Sequence, residues 1–425
     1  MTGSAKLRTE QILELLSSGY LFTSRVRSKA KVAPGSDVPV SMRLLGKRAT
    51  LVRGEEGVKL FYDTDRMSRA GAMPKFIQIP LFGSGAVHTL DGEAHRVRKN
   101  QLADQAYEDE PVARFQALVA EELETTLERW RNTPGNIYDD VALTYGRAAL
   151  RWAGIPASVR DMERQARRLS RLLDTFGRPK TNPVAWFERF RVDRWYKQVI
   201  TDARAGTIDV PAGSALAGMA QLKDENGELV DEHTAGVELQ NLTRPTIAVS
   251  RFAAFAAVAL VEHPEWAERI HAAAGTELTD IPEATAFAQE VRRTYPFVPV
   301  LPALADTDTQ VSGCPIKKGQ RVLIDILGTN TAESEWHEPE SFDPARFLEV
   351  DDAEQLTCFI PQGGGGVRTG HRCPGERIAV SALSATVAAL SRSEVEISPE
   401  PADLTFSWTE MLTRPETGVR VRVRQ

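Results

Sequence analysis

Phe359-Ile-Pro-Gln-Gly-Gly-Gly-Gly-Val-Arg-Thr-Gly-His-Arg-Cys373-Pro-Gly375-Glu carries most of the information in this chain. Four consecutive glycines, Gly365 among them, allow backbone conformations closed to other residues and a close approach to a flat ligand. Directly afterwards, Ile378-Ala-Val-Ser-Ala-Leu-Ser-Ala-Thr-Val-Ala-Ala-Leu390 is apolar and helix-forming, which puts Cys373 at or just before a helix N-terminus. There the positive end of the helix and its free N–H groups favour a thiolate over a thiol. A thiolate is the form in which cysteine binds a metal, so Cys373 is the candidate metal ligand.

Composition supports this. The chain has 425 residues, 42% hydrophobic and 26% charged, enough for a large core without disulfides. A formal net charge of −6 argues against a protein that neutralises the phosphates of DNA or RNA. Three widely spaced cysteines, Cys314, Cys358 and Cys373, form no disulfide framework and fit a reducing compartment. The N-terminus lacks a charged segment followed by an apolar one, and no apolar stretch reaches the ~18 residues of a membrane span, so a cytoplasmic location is expected.

Hydrophobic spacing predicts mostly helix with small sheets near both ends, in one domain over residues 1–425. Val112, Phe115, Leu118, Val119, Leu123, Leu127 and Trp130 recur at helical intervals between Pro111 and Arg131. A longer helix is predicted from about Thr234 to Glu262, ending at His263-Pro264. It is apolar on nearly every face from Ile247 to Val261, as expected of a helix through a protein's centre. Strands are predicted within Arg43–Val52, closed by turns at Gly54 and Gly57, and at Gln320–Asp325, Val395–Ser398 and Val419–Val423.

The cysteine loop resembles the haem-binding signature of the cytochrome P-450 family, with His371 two residues before the cysteine and Gly375 two after. It departs from the usual pattern at Gly366 and Thr369, and its longer glycine run resembles the bacterial fatty-acid peroxygenase branch. Two further motifs match in order: Glu290-Val-Arg-Arg293, with a carboxylate and a guanidinium on one helical face, and Phe342-Asp-Pro-Ala-Arg346-Phe347. The resemblance implies a P-450 fold with a long central helix over haem b, an axial Cys373 thiolate, and a structural group of Glu290, Arg293 and Arg346.

Ordinary members of that family carry an acid followed by threonine in the central helix, to relay protons to dioxygen. Here Arg244-Pro245 stands in their place. A buried guanidinium needs an anionic partner or water. Facing a cavity, Arg244 could hold a substrate carboxylate through two parallel N–H···O bonds, and that carboxylate would supply the missing acid–base group. Hydrogen peroxide already carries the electrons and protons that dioxygen takes from a reductase, so no redox partner is expected.

The likeness to the peroxygenase branch rests on Arg244-Pro245, on Phe297-Val298-Pro299, and on Leu81-Phe82-Gly83 through His88 to His95-Arg-Val-Arg98-Lys99. It implies oxidation of long-chain fatty acids at the α or β carbon, by hydroxylation or by decarboxylation to terminal alkenes. Phe82, His88, Phe297 and Val298 would line the substrate cavity, with His88 beside Arg244 and Pro245 as catalytic residues. His95, Arg98 and Lys99 would lie near the haem propionates, and His371, with Gly365 and Gly375, would belong to the cofactor-binding loop. Two other classes stay open at this point: a reductase-dependent monooxygenase acting on another substrate, which Arg244-Pro245 argues against, and a haem-binding sensor or carrier, which would give no peroxide-driven product.

Overall fold

A computed structural model of the chain describes residues 5–175 and 182–424. Its axis is a pair of helices, Glu232–Ala248 and Ser250–Glu262, running nearly end to end through Val249. Asp231 starts the first by accepting from the N–H groups of His233 and Thr234 at 2.9 and 3.0 Å. Beyond Glu262, Pro264 stops the ladder and opens the next helix, Pro264–Ala274.

Two expectations about this axis need correction. The discontinuity lies at Val249 rather than at Pro245, with the Val249 N–H shared between the carbonyls of Pro245 and Thr246 at 3.3 and 3.1 Å. The helix simply tightens one turn after the proline. By length and composition, Glu232–Glu262 is also apolar enough to cross a membrane, but 83% of its most apolar window is buried within the protein. In the sequence Arg244, Arg251 and neighbouring polar residues interrupt the apolar pattern, which is why no span of ~18 residues was expected there.

Around this axis pack the helices Asp109–Asn132, Ile137–Trp152, Pro282–Thr294 and Glu376–Leu390, joined in one apolar core. The helix Asp109–Asn132 buries Val112, Phe115, Val119, Leu123, Leu127 and Trp130, the predicted stripe. Glu376–Leu390 is buried along most of its length, so the segment after the cysteine loop is anchored in the core.

The sheets are less local than the sequence implied. A six-stranded sheet runs in the order Ala5–Glu10, Val40–Leu44, Lys47–Val52, Arg321–Asp325, Val300–Ala305 and Met67–Ser68. The small sheet expected at Arg43–Val52 is therefore completed by strands some 250 residues away in sequence. Gly54 and Gly57, expected in turns, lie within the helix Gly54–Phe61. Gly54 starts it with a left-handed φ of +69°, which explains the turn-like signal. At the other end, Val395–Ile397 pairs with Arg420–Val423, which in turn pairs with Gly135–Asn136.

Pro245 sits inside a helix without an N–H to give the carbonyl of Asn241. Pro245→Ala should raise stability by about 1–3 kcal/mol in denaturant unfolding, since proline in a helix interior costs ~3 kcal/mol relative to alanine. A lower stability would show that the surrounding packing is built for the ring.

Candidate active site

Glu290 and Arg293 are fully buried and meet face to face, with both Arg293 Nε and Nη2 donating to the carboxylate at 2.7 Å. Arg293 also donates to the carbonyls of Pro339 and Ser341 at 2.8 and 2.9 Å. Arg346 closes the group, its Nε 3.6 Å from Glu290 Oε1. The three residues singled out from sequence thus pin the segment 337–347 to the helix Pro282–Thr294. Glu290 satisfies its remaining capacity by accepting from the Asp343 N–H at 2.8 Å.

A second buried ion group holds the cysteine loop itself. Glu376 binds Arg292 through one oxygen and Arg372 Nη1 through the other, the latter at 3.0 Å. Arg292 also donates to Gln362 Oε1 at 2.9 Å, and the carbonyl of Gln362 accepts from the Cys373 N–H at 3.2 Å. Arg372 reaches the carbonyls of Gly365 and Glu354 at 3.3 and 3.1 Å. Sequence reasoning missed this group, although its signals were present: tandem arginines in Glu-Val-Arg-Arg, and an acid immediately after Cys-Pro-Gly.

The glycine run is needed partly for packing against protein. A Cβ on Gly364 would lie 2.8 Å from Ile360 Cγ2, and one on Gly365, with φ at +75°, 3.2 Å from Tyr62 Cβ. Gly375, in contrast, faces open space. Cys373 precedes the first helical residue, Glu376, by three positions. Burial pushes its thiol pKa up, opposed by Lys99 and by the Gly375 N–H. Coordination to a metal would hold the sulfur as the thiolate.

Basic groups gather beside this loop. His95 and His371 lie 4.3 Å apart, ring centre to ring centre. Lys99 is buried and donates to the Arg372 carbonyl at 2.5 Å. Burial lowers its pKa to about 8, and burial together with Lys99 and Arg69 lowers that of His95 to about 4. Arg69 lies over the Phe61 ring at 4.1 Å, and its Nη1 is buried with no hydrogen-bond partner. None of His95, His371, Lys99 and Arg69 pairs with a carboxylate among the described residues. A flat cofactor bearing two carboxylates fits such a cradle, and Cys373 would hold its metal.

Arg98, expected in the same group, is instead engaged elsewhere. Its Nη1 binds the fully buried Glu238 at 3.0 Å. Glu238 also accepts from the Val87 N–H at 2.7 Å and from Asn241 Nδ2 at 3.1 Å, and so ties the loop before His88 to the central helix. An acid six residues before Arg244 in an apolar helix was the signal for it.

On the other side, three residues far apart in sequence come together. His88 stacks on Phe82 with ring centres 4.0 Å apart, and the Arg244 guanidinium sits 5.4 Å from the centre of the Phe82 ring. Burial and the nearby Arg244 push the His88 pKa well below the usual histidine range. Asn241 and Pro245, one turn apart, are the partly accessible positions on an otherwise buried stretch of helix.

Arg244 donates to Asn241 Oδ1 at 3.0 Å, while its Nη1 is buried without a partner. Burial and the neighbouring Arg189 lower its pKa to about 9, so it stays charged at neutral pH. Phe297 stacks on Phe252 at 4.6 Å. Phe252 is eight residues past Arg244, so Phe297 and Val298 lie roughly 12 Å farther along the helix, at 1.5 Å per residue.

Replacing Glu376 by Gln leaves Arg292 and Arg372 without their acid. The expected loss is about 3–5 kcal/mol of unfolding free energy, the range for breaking a buried ion pair. A loss below about 1 kcal/mol would mean that the loop is held mainly by its backbone contacts.

The family model for cytochrome P-450 matches residues 245–423. Ligand-free cytochrome P-450 OleT superposes with a TM-score of 0.89 at 32% identity, covering 98% of this chain and 97% of that one. Cytochrome P-450EX alpha with myristic acid superposes at 0.86 with 31% identity, covering 99% and 98%. Among curated proteins, cytochrome P-450 4A11 of Homo sapiens is 29% identical over 179 residues, 39% of this chain and 33% of that protein. The chain thus spans about a third of that curated relative but nearly all of the two solved structures. With the cysteine loop, the Glu-x-x-Arg group and the Arg-Pro pair all in place, the chain belongs to the cytochrome P-450 family, in its branch of haem-thiolate fatty-acid peroxygenases and decarboxylases.

Proposed function

We propose that this protein is a hydrogen-peroxide-dependent enzyme that oxidises long-chain fatty acids at the α or β carbon, by hydroxylation, by oxidative decarboxylation, or both. The observation that carries this reading is Arg244: a buried cation with an orphaned Nη1, bonded to no carboxylate among the described residues. Such a group is strongly unfavourable unless an anion arrives to meet it.

Haem held by Cys373, with its propionates among His95, His371, Lys99 and Arg69, would supply the oxidising iron. The chain's own residues do the rest. Arg244 receives the fatty-acid carboxylate by charge-assisted hydrogen bonds, which fixes which carbons of the chain lie at the reaction centre. The second carboxylate oxygen then serves as the acid–base atom that shifts a proton between the two oxygens of peroxide.

His88 is kept neutral by burial and by Arg244, so it neither competes for the carboxylate as a cation nor repels Arg244. Stacked on Phe82, it forms with that ring a wall beside the head group. Pro245, in the position where the wider family carries a hydroxyl, can relay no proton, which leaves that task to the substrate. Relatives with fatty-acid ligands, such as cytochrome P-450EX alpha with myristic acid, support the substrate class.

The purified protein with peroxide, palmitic acid and no reductase should yield oxidised or decarboxylated product by mass spectrometry. Absence of product with any long-chain acid would favour a reductase-dependent enzyme. Arg244→Ala should lower kcat/KM at least about a hundredfold, since charged hydrogen bonds contribute ~1.5–3 kcal/mol each, while haem stays bound. Retention of activity would count against carboxylate anchoring.

A short carboxylic acid, too small to reach the oxidised position, should restore peroxide chemistry on an unrelated aromatic substrate in the unsubstituted protein. Failure of a homologous series of such acids would weaken the proton role given to the carboxylate.

A further inference from the structure

Arg244 is not the only guanidinium buried in this part of the molecule. Arg189, on the helix Asn182–Ala205, is 2% exposed. Its Nη2 binds Asp193, one turn along the same helix, and its Nε and Nη1 are buried without hydrogen-bond partners. Arg189 is near enough to Arg244 for its charge to lower the Arg244 pKa, and Asp193 near enough to oppose that shift.

The contact between the helices is close and polar. Tyr196 donates to or accepts from Thr243 at 2.7 Å, and a Cβ on Gly236 would lie 2.8 Å from the Lys197 nitrogen. Gln240, one turn before Arg244 on the central helix, is fully buried with both amide atoms unpartnered. Within such a low-dielectric contact, a carboxylate free to choose would be drawn to the nearest unpaired guanidinium. Asp193 is within reach of the field of Arg244 yet bonded to Arg189.

We propose that Arg189 is a positioning residue that keeps Arg244 free for substrate: by holding Asp193, it prevents the protein's own carboxylate from neutralising the guanidinium that receives the fatty acid. The cluster then carries one unit of positive charge in excess, two guanidiniums against one carboxylate, and a single fatty-acid anion balances it. Loss of Arg189 releases Asp193 toward Arg244 and turns an open receptor into a closed internal ion pair. This rests on the carboxylate-anchoring role of Arg244 given above.

The test is spectroscopic titration of the haem-loaded protein with palmitic acid and, in parallel, with hexadecanol, which has the same chain and no charge. Arg189→Met should raise the Kd for palmitic acid at least about tenfold, a change of ~1.4 kcal/mol, and leave that for hexadecanol within about threefold. The double variant Arg189→Met/Asp193→Asn should return acid affinity to within about threefold of the starting protein, and Arg189→Lys should keep most of it. Unchanged acid binding in Arg189→Met overturns the proposal. So does equal loss for acid and alcohol that Asp193→Asn fails to rescue, because that pattern belongs to a merely structural residue. Failure of the unsubstituted protein to bind the acid, or tight acid binding by Arg244→Ala, would instead overturn the anchoring role and the proposal with it.

Discussion

A guanidinium buried in the middle of a helix, with a nitrogen left unbonded, is the constraint around which this molecule is arranged. The Arg244 side chain is buried, because the central helix runs through the core, and it pairs with no carboxylate among the described residues. Two acids of the adjoining helices are bonded to other cations, Asp193 to Arg189 and Glu238 to Arg98. What remains is an interior charge 5.4 Å from the centre of the Phe82 ring, on which His88 stacks. Burial weakens its hold on its proton, but with a pKa near 9 it keeps the charge.

The same logic of committed pairs operates on the cysteine side. Glu290 is consumed by Arg293 and Arg346, and Glu376 by Arg292 and Arg372. Beside Cys373, by contrast, His95, His371, Lys99 and Arg69 pair with no carboxylate among the described residues.

Much of this was legible in the sequence, for physical reasons that differ by element. The helix after Cys373 and the stripe from Val112 to Trp130 could be read because apolar spacing records which face is buried. Glu290, Arg293 and Arg346 could be named because their spacing and order match a known group. Cys373, Phe82, His88 and Arg244 could be placed at one site only through family resemblance, since nothing in local spacing brings residues 82, 88 and 244 together. Gly54 was misread because a left-handed glycine begins a helix as readily as it ends a strand. Arg98 was misassigned because the sequence does not say which acid a buried arginine will meet, and Glu238 lies 140 positions away. The Asp193–Arg189 pair could not be weighed at all without knowing that its helix packs on the central one.

The strand Arg420–Val423 bonds to both Val395–Ile397 and Gly135–Asn136, and Arg321–Asp325 inserts beside Lys47–Val52. The pairings with Gly135–Asn136 and with Lys47–Val52 each close a span of more than 250 residues, and Cys373 lies more than 270 residues beyond His95 and Lys99, so the cradle cannot be assembled from an early fragment of the polypeptide. The N-terminal two-thirds of the chain holds Arg69, His95 and Lys99 but neither Cys373 nor the strand Arg321–Asp325 of the larger sheet, so the two halves of the cradle meet only through contacts made by the last third.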